Sequence, residues 1–194
     1  MAGMRVGILV FGLAVLAILT MTATGASASG EPRAACAAPP AALGKYQPAK
    51  PDAALPAAPF VDAEGVDRPL DGLRGQALVL NVWATWCAPC VEEMPALDRL
   101  AAQTKQTGVR VLALSADREG GAVVRRFYEV NAIRHLPVAL DKTARVARAT
   151  GIGGLPTTLL YDAAGREIGR VTGVAAWDSS EVTAFLAACL AGRG

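Results

Sequence analysis

The sequence lacks an excess of either charge: 19 Lys and Arg face 17 Asp and Glu among 194 residues, a formal net charge of +2. A chain so balanced has no electrostatic footprint for nucleic acid or another polyanion, and that class is excluded. Histidine is reduced to one residue, His135, and cysteine to four, Cys36, Cys87, Cys90 and Cys189. A zinc site built on Cys87-x-x-Cys90 needs two more ligands with paired spacing, which these residues do not offer, so no metal is expected. Internal repeats and blocks of like charge are also absent, and residues 6–30 hold no charge at all.

That uncharged stretch is where the hydrophobic excess of the chain (53% apolar, mean hydropathy +0.34) is concentrated. Val6 to Leu19 is a continuous apolar run behind the basic Arg5, and Ala26-Ser27-Ala28 supplies a small-x-small cleavage site. Residues 1–28 therefore read as an export signal or, if retained, as a membrane anchor, since a span needs roughly 20 apolar residues. Either reading places residues 29–194 outside the cytosol, in the periplasm, soluble or tethered to the inner membrane. Cys36 follows charged and proline residues instead of ending the apolar run, which argues against a lipoprotein start.

Residues 29–57 are Ala- and Pro-rich, with Pro39, Pro40, Pro48, Pro51 and Pro56, and are expected to be an extended, partly disordered spacer. The folded domain is expected over 58–194. There, short apolar runs alternate with amphipathic stretches, the pattern of a sheet covered by helices. Strands are predicted at 76–83, 109–115, 136–140, 157–161 and 167–172, and helices at 91–104, 122–132, 144–149 and 179–190. Phe60-Val61 and Arg68-Leu70 flank a turn at Ala63-Gly65. Pro95 removes a backbone donor and should bend the helix that contains it.

The sharpest chemical signal is Trp86-Cys87-Ala88-Pro89-Cys90, a C-x-x-C between a predicted strand and a predicted helix. Unpaired N–H groups and the positive dipole end of a helix start stabilise a thiolate, so Cys87 is the predicted nucleophile. Cys90, one turn further in, can attack a mixed disulfide on Cys87 and resolve it. Glu93 lies three residues beyond Cys90, on about the same helix face, where it can act as acid and base toward that sulfur. The alternative reading of Glu93 is a solvated helix carboxylate favoured by the dipole alone. Gly151-Ile152-Gly153-Gly154 is followed by a strand, not a helix, so it is no dinucleotide fingerprint, and no cofactor is expected.

Together, Asn81-Val82-Trp83-Ala84-Thr85-Trp86, Cys87-Ala88-Pro89-Cys90, Glu93-Met94-Pro95 and Gly154-Leu155-Pro156-Thr157-Thr158 resemble thioredoxin. More narrowly, they are similar to the extracytoplasmic TlpA-like thiol-disulfide oxidoreductases, over about residues 58–191. The resemblance implies an α/β thioredoxin-like fold, a mixed central sheet flanked by helices, with a helix-strand insertion at Glu119–Leu140. It implies a cis Pro156 beside the cysteines, where the backbone of Leu155 would pair with a substrate segment and Trp86 would border it. It also implies reduction of disulfides in proteins of respiratory cytochrome biogenesis, with electrons from a transmembrane thiol reductant transporter.

Two departures qualify that picture. Cytosolic thioredoxins carry a buried Asp where this chain has Asn81, which is expected to bond backbone and leaves Glu93 or water as proton acceptor. The cytochrome-maturation branch has Glu after the cis-proline, whereas Thr157 stands here. A disulfide oxidant or isomerase is the alternative direction, and the absence of His between the cysteines favours reduction. A copper chaperone using the two thiols and His135 is a more distant alternative, because the related carriers space their cysteines by three. His135 itself reads as a surface or loop residue. In an oxidising compartment with Cys87 and Cys90 paired, Cys36 and Cys189 are left to each other as a structural disulfide. Cys189 also reads as a core residue of the closing helix, beside Val182, Phe185, Leu186 and Leu190.

Overall fold

Both periodicities, two for strands and three to four for helices, are realised in the structure. The computed structural model describes residues 36–190 together with Met1 and Gly3, so the signal or anchor reading of residues 1–28 otherwise lies outside the described residues. The strands run β1 (Tyr46–Pro48), β2 (Pro59–Val61), β3 (Asp67–Pro69), β4 (Ala77–Trp83), β5 (Val109–Ser115), β6 (Ala139–Leu140), β7 (Thr157–Tyr161) and β8 (Glu167–Thr172). The helices are α1 (Ala88–Thr104), α2 (Gly121–Val130), α3 (Arg145–Ala149) and α4 (Ser180–Leu190). All eight strands form one mixed sheet in the order β1-β8-β7-β4-β5-β6-β2-β3.

β4 is the centre, parallel to β5 on one side and antiparallel to β7 on the other. Every residue of β4 is buried, as expected of a strand covered on both faces. Alternation sends Ala77, Val79 and Trp83 to a core shared with Met94, Leu97 and Leu100 of α1 and Val182, Leu186 and Leu190 of α4. Leu78, Leu80 and Val82 face a second core with Leu55, Phe60, Leu70 and Val146. Strands β8-β7-β4-β5 with α1, α3 and α4 are the thioredoxin-like unit, and α2 with β6 is the helix-strand insertion between β5 and α3.

The fold begins well upstream of residue 58. Ala41–Leu43 makes a short 3-10 turn whose Leu43 is fully buried, and β1 pairs with β8 through Tyr46↔Val171. Ala54 bridges to Arg166, and Leu55 is buried in the second core. The prolines that suggested a free spacer are tolerated because β1 is the edge strand and Pro48 is its last residue. Cys36 and Cys189 are joined as a disulfide, with Cα atoms 5.0 Å apart, which ties this segment to α4.

Smaller differences also have local causes. Strand β6 has only two residues instead of 136–140, because the Leu136 amide is taken by Asp98 Oδ1 and Pro137 has no N–H for a ladder. Helix α2 stops at Val130, where the Asn131 side chain donates to the Phe127 carbonyl and Ala132 turns to φ +54°. Ser179 caps α4, its Oγ accepting from the Val182 amide at 3.3 Å, whereas Asp178 pairs with Arg99. Pro95 sits inside a helix that runs on to Thr104.

If residues 36–57 belong to the core, Leu43→Ala leaves a cavity there and should lower the unfolding free energy by about 2–4 kcal/mol. Urea titration of the two proteins checks this, and unchanged stability would return the segment to a spacer.

Candidate active site

The strand-to-helix junction after β4 creates the local environment of the C-x-x-C. The chain leaves Trp83 and turns back on itself, the Cys87 amide donating to the Ala84 carbonyl at 3.1 Å. Cys87 is the N-cap of α1, in extended backbone, and its carbonyl accepts from the Val91 amide at 3.0 Å. Cys87 thus stands at the helix end whose first amides lack intrahelical partners, and no acidic residue occupies the first turn. Cys87 and Cys90 form a disulfide with Cα atoms 5.2 Å apart. Both cysteines are buried, Cys87 with 7% of the residue exposed and Cys90 with none, so only Cys87 keeps any contact with solvent. Trp86 is 68% exposed at the rim.

The Leu155–Pro156 bond is cis. Register sets Thr157 opposite Val82, which brings Pro156 level with the end of β4, from which the Cys87 loop departs. Pro156 is buried, Leu155 is half-buried, and the Pro156 carbonyl accepts from the Gly173 amide at 2.9 Å.

Glu93 is not a solvated carboxylate. It lies on the buried stripe of α1 with Cys90, Met94 and Leu97, while its neighbour Glu92 is exposed. Oε1 accepts from Asn81 Nδ2 and Oε2 from Trp177 Nε1, each at 2.8 Å, and the Ala175 amide also donates to the carboxylate. Burial pushes the Glu93 carboxyl above its ordinary range, and these donors oppose the rise without cancelling it. Asn81 bonds side chains, not backbone: alternation points it toward α1, and its Nδ2 also donates to Thr158 Oγ1 at 2.9 Å. Its Oδ1 is buried without a partner.

A second buried carboxylate, Asp117, was not singled out by any spacing in the sequence. One oxygen accepts from the Thr85 amide (3.0 Å) and Ser115 Oγ (2.7 Å), the other from Thr85 Oγ1 (2.6 Å). It ties the end of β5 to the loop that presents Trp86 and Cys87. Asp98 does similar work further along α1, where Oδ1 accepts the amides of Arg134, His135 and Leu136. The structure brings Trp86, Cys87, Cys90, Glu93, Leu155 and Pro156 to one end of the sheet. Cys36 and Cys189 are bonded to each other, and His135 is exposed in the loop before β6.

The raised Glu93 carboxyl has a consequence for stability. Between the ordinary glutamate range and the higher native value, the folded protein holds a proton that the unfolded chain has released, so stability falls as pH rises through that window. Glu93→Gln cannot ionise and should escape this fall. Urea unfolding of both proteins from about pH 4 upward checks it: the free-energy gap should move in favour of the variant and then level off, and a gap independent of pH would refute it.

Comparison with known proteins agrees with this geometry. The thiol-disulfide oxidoreductase ResA of Bacillus thuringiensis is 38% identical over 112 residues, covering 58% of this chain and 64% of the relative. A ResA of Geobacillus thermodenitrificans is 37% identical over the same length, covering 63% of that protein. The chain thus spans a little under two-thirds of these relatives. Among solved structures, a Chlorobium tepidum protein assigned as the thiol:disulfide interchange protein DsbE is 25% identical with a TM-score of 0.62, over 71% of this chain and 96% of that one. The AhpC/TSA family pattern matches residues 47–166, more than half of the sequence and all of the site from Trp86 to Pro156. With the thioredoxin-like sheet and the C-x-x-C at the start of α1 in place, the chain belongs to the AhpC/TSA family of the thioredoxin superfamily.

Proposed function

We propose that this protein is an extracytoplasmic thiol-disulfide oxidoreductase that reduces disulfides in proteins of respiratory cytochrome biogenesis. The observation that carries the reading is the Cys87–Cys90 pair at the start of α1, where Cys87 keeps a trace of exposure and Cys90 has none. The names of the relatives, thiol-disulfide oxidoreductase and thiol:disulfide interchange protein, support the reaction class.

In the reduced protein the Cys87 thiolate attacks one sulfur of a target disulfide, and the other target sulfur leaves as a thiolate that takes a proton from water. The target strand lies along Leu155 and Pro156, with Trp86 bordering it. Cys90, which has no contact with solvent, gives its proton to Glu93 and attacks the Cys87 sulfur, and the second target sulfur leaves as a thiolate that is protonated by water. Two electrons have passed to the target, and the protein is left with the Cys87–Cys90 disulfide. A transmembrane thiol reductant transporter returns the electrons. Residues 1–28 export the domain or hold it at the membrane, and Cys36–Cys189 is a structural clamp outside this cycle.

Cys87→Ser should lower disulfide reduction by about a thousandfold or more. Cys90→Ser should accumulate a mixed disulfide between Cys87 and the target, visible by non-reducing mass spectrometry. Redox titration of the purified protein, mapped by alkylation, gives the direction. A Cys87/Cys90 potential below roughly −220 mV supports a reductant, and one above roughly −180 mV assigns the pair to oxidation or isomerisation instead.

A further inference from the structure

The donors that hold Glu93 differ in kind. Asn81 carries both a donor and an acceptor, and its Oδ1 is buried without a partner. Turning that amide over would offer the oxygen to a protonated Glu93, so Asn81 can match the carboxyl in either state. An indole N–H and a backbone N–H can only donate. Trp177 Nε1 and the Ala175 amide therefore favour the carboxylate over the neutral acid, and both come from the loop between β8 and α4. Trp177 has no exposed surface, so water does not replace its hydrogen bond.

That loop is held by contacts independent of Glu93. The Gly173 amide donates to the Pro156 carbonyl at 2.9 Å, and the Ala176 amide to the Ala42 carbonyl at 3.0 Å. Gly44, at φ +61°, lets the N-terminal segment approach so closely that a Cβ there would lie 3.2 Å from the Val174 carbonyl oxygen. Arg99 of α1 closes the far end through Asp178 at 2.6 Å. The remaining titratable groups on the buried side of α1 are Cys90, one turn before Glu93, and Asp98, which is turned toward the amides of 134–136. Asn81 and Thr158, from β4 and β7, are uncharged.

We propose that Trp177 is a positioning residue: its indole N–H holds Glu93 as a carboxylate ready to take the Cys90 proton, against the burial that favours the neutral acid. This rests on the acid–base reading of Glu93 given above. Without the indole donor, Glu93 keeps its proton to higher pH, and resolution of the mixed disulfide by Cys90 requires correspondingly higher pH.

The test uses the full-length protein, with Trp177→Phe and with Trp177 replaced by 3-benzothienylalanine, which keeps the indole shape but has no N–H. The Glu93 carboxyl is titrated by carbon-13 NMR. Separately, the reduced proteins are mixed with dithiobis(nitrobenzoate), and release of the second aryl thiolate, which reports attack by Cys90, is followed against pH. Both replacements should move the Glu93 midpoint up by about one unit, a tenfold gain in proton affinity, and shift the pH profile of the second release by the same amount. The isostere keeps the experiment decisive if the smaller Phe disturbs packing. A Glu93 midpoint unmoved in the isostere overturns the proposal. Glu93→Gln separates the two ideas: if it leaves the profile of the second release unchanged while the NMR midpoint shifts in the Trp177 proteins, the hold of Trp177 on the carboxyl stands and the acid–base role of Glu93 falls.

Discussion

A carboxylate taken out of water has to be met by donors, and the place where Glu93 is met is the junction of the molecule. Asn81 reaches it from the central strand and Trp177 with Ala175 from the loop before α4, while Thr158 of β7 shares the Asn81 amide. Segments around residues 81, 158 and 177 are therefore constrained around one side chain. The cost of burying an ionisable group is partly offset by directed hydrogen bonds, and its remainder appears as a raised proton affinity one helical turn from Cys90.

Asp117 is the counterpart on the other side of the C-x-x-C. It accepts three hydrogen bonds, two of them from Thr85, and so fixes the loop whose next two residues are Trp86 and Cys87. One buried acid thus lies on the α1 stripe one turn beyond Cys90, and the other fixes the loop before Cys87. The Leu155–Pro156 segment belongs to the same assembly, because the loop that supplies donors to Glu93 also donates to the Pro156 carbonyl. The Leu155–Pro156 backbone and the buried acid share one scaffold, and the segment around Leu43 and β1 holds that scaffold from outside.

Much of this was legible in the sequence. β5, β7 and β8 lie where their apolar patterns place them, and β4 begins one residue later than predicted, since each is long enough for period two or an apolar run to be unambiguous. The strand–C-x-x-C–helix order was readable because the chemistry of a helix start and the position of the motif point the same way. Residues 36–57 were misread because composition there reports only on local preference, whereas an edge strand tolerates proline and a buried Leu43 needs partners more than a hundred residues away. Asp98 and Asp117 look like surface acids in sequence, since the amides that satisfy them come from other elements.

The sequence by itself determined the C-x-x-C and its setting at a helix start. These depend on neighbours within a turn or a strand, which spacing encodes. Only the tertiary structure decided that Glu93 is buried, that Trp177 is its partner 84 residues away, and that Cys36 lies against Cys189. Hydrogen bonds and disulfides between distant segments depend on how strands order and helices pack, and no local period carries that information.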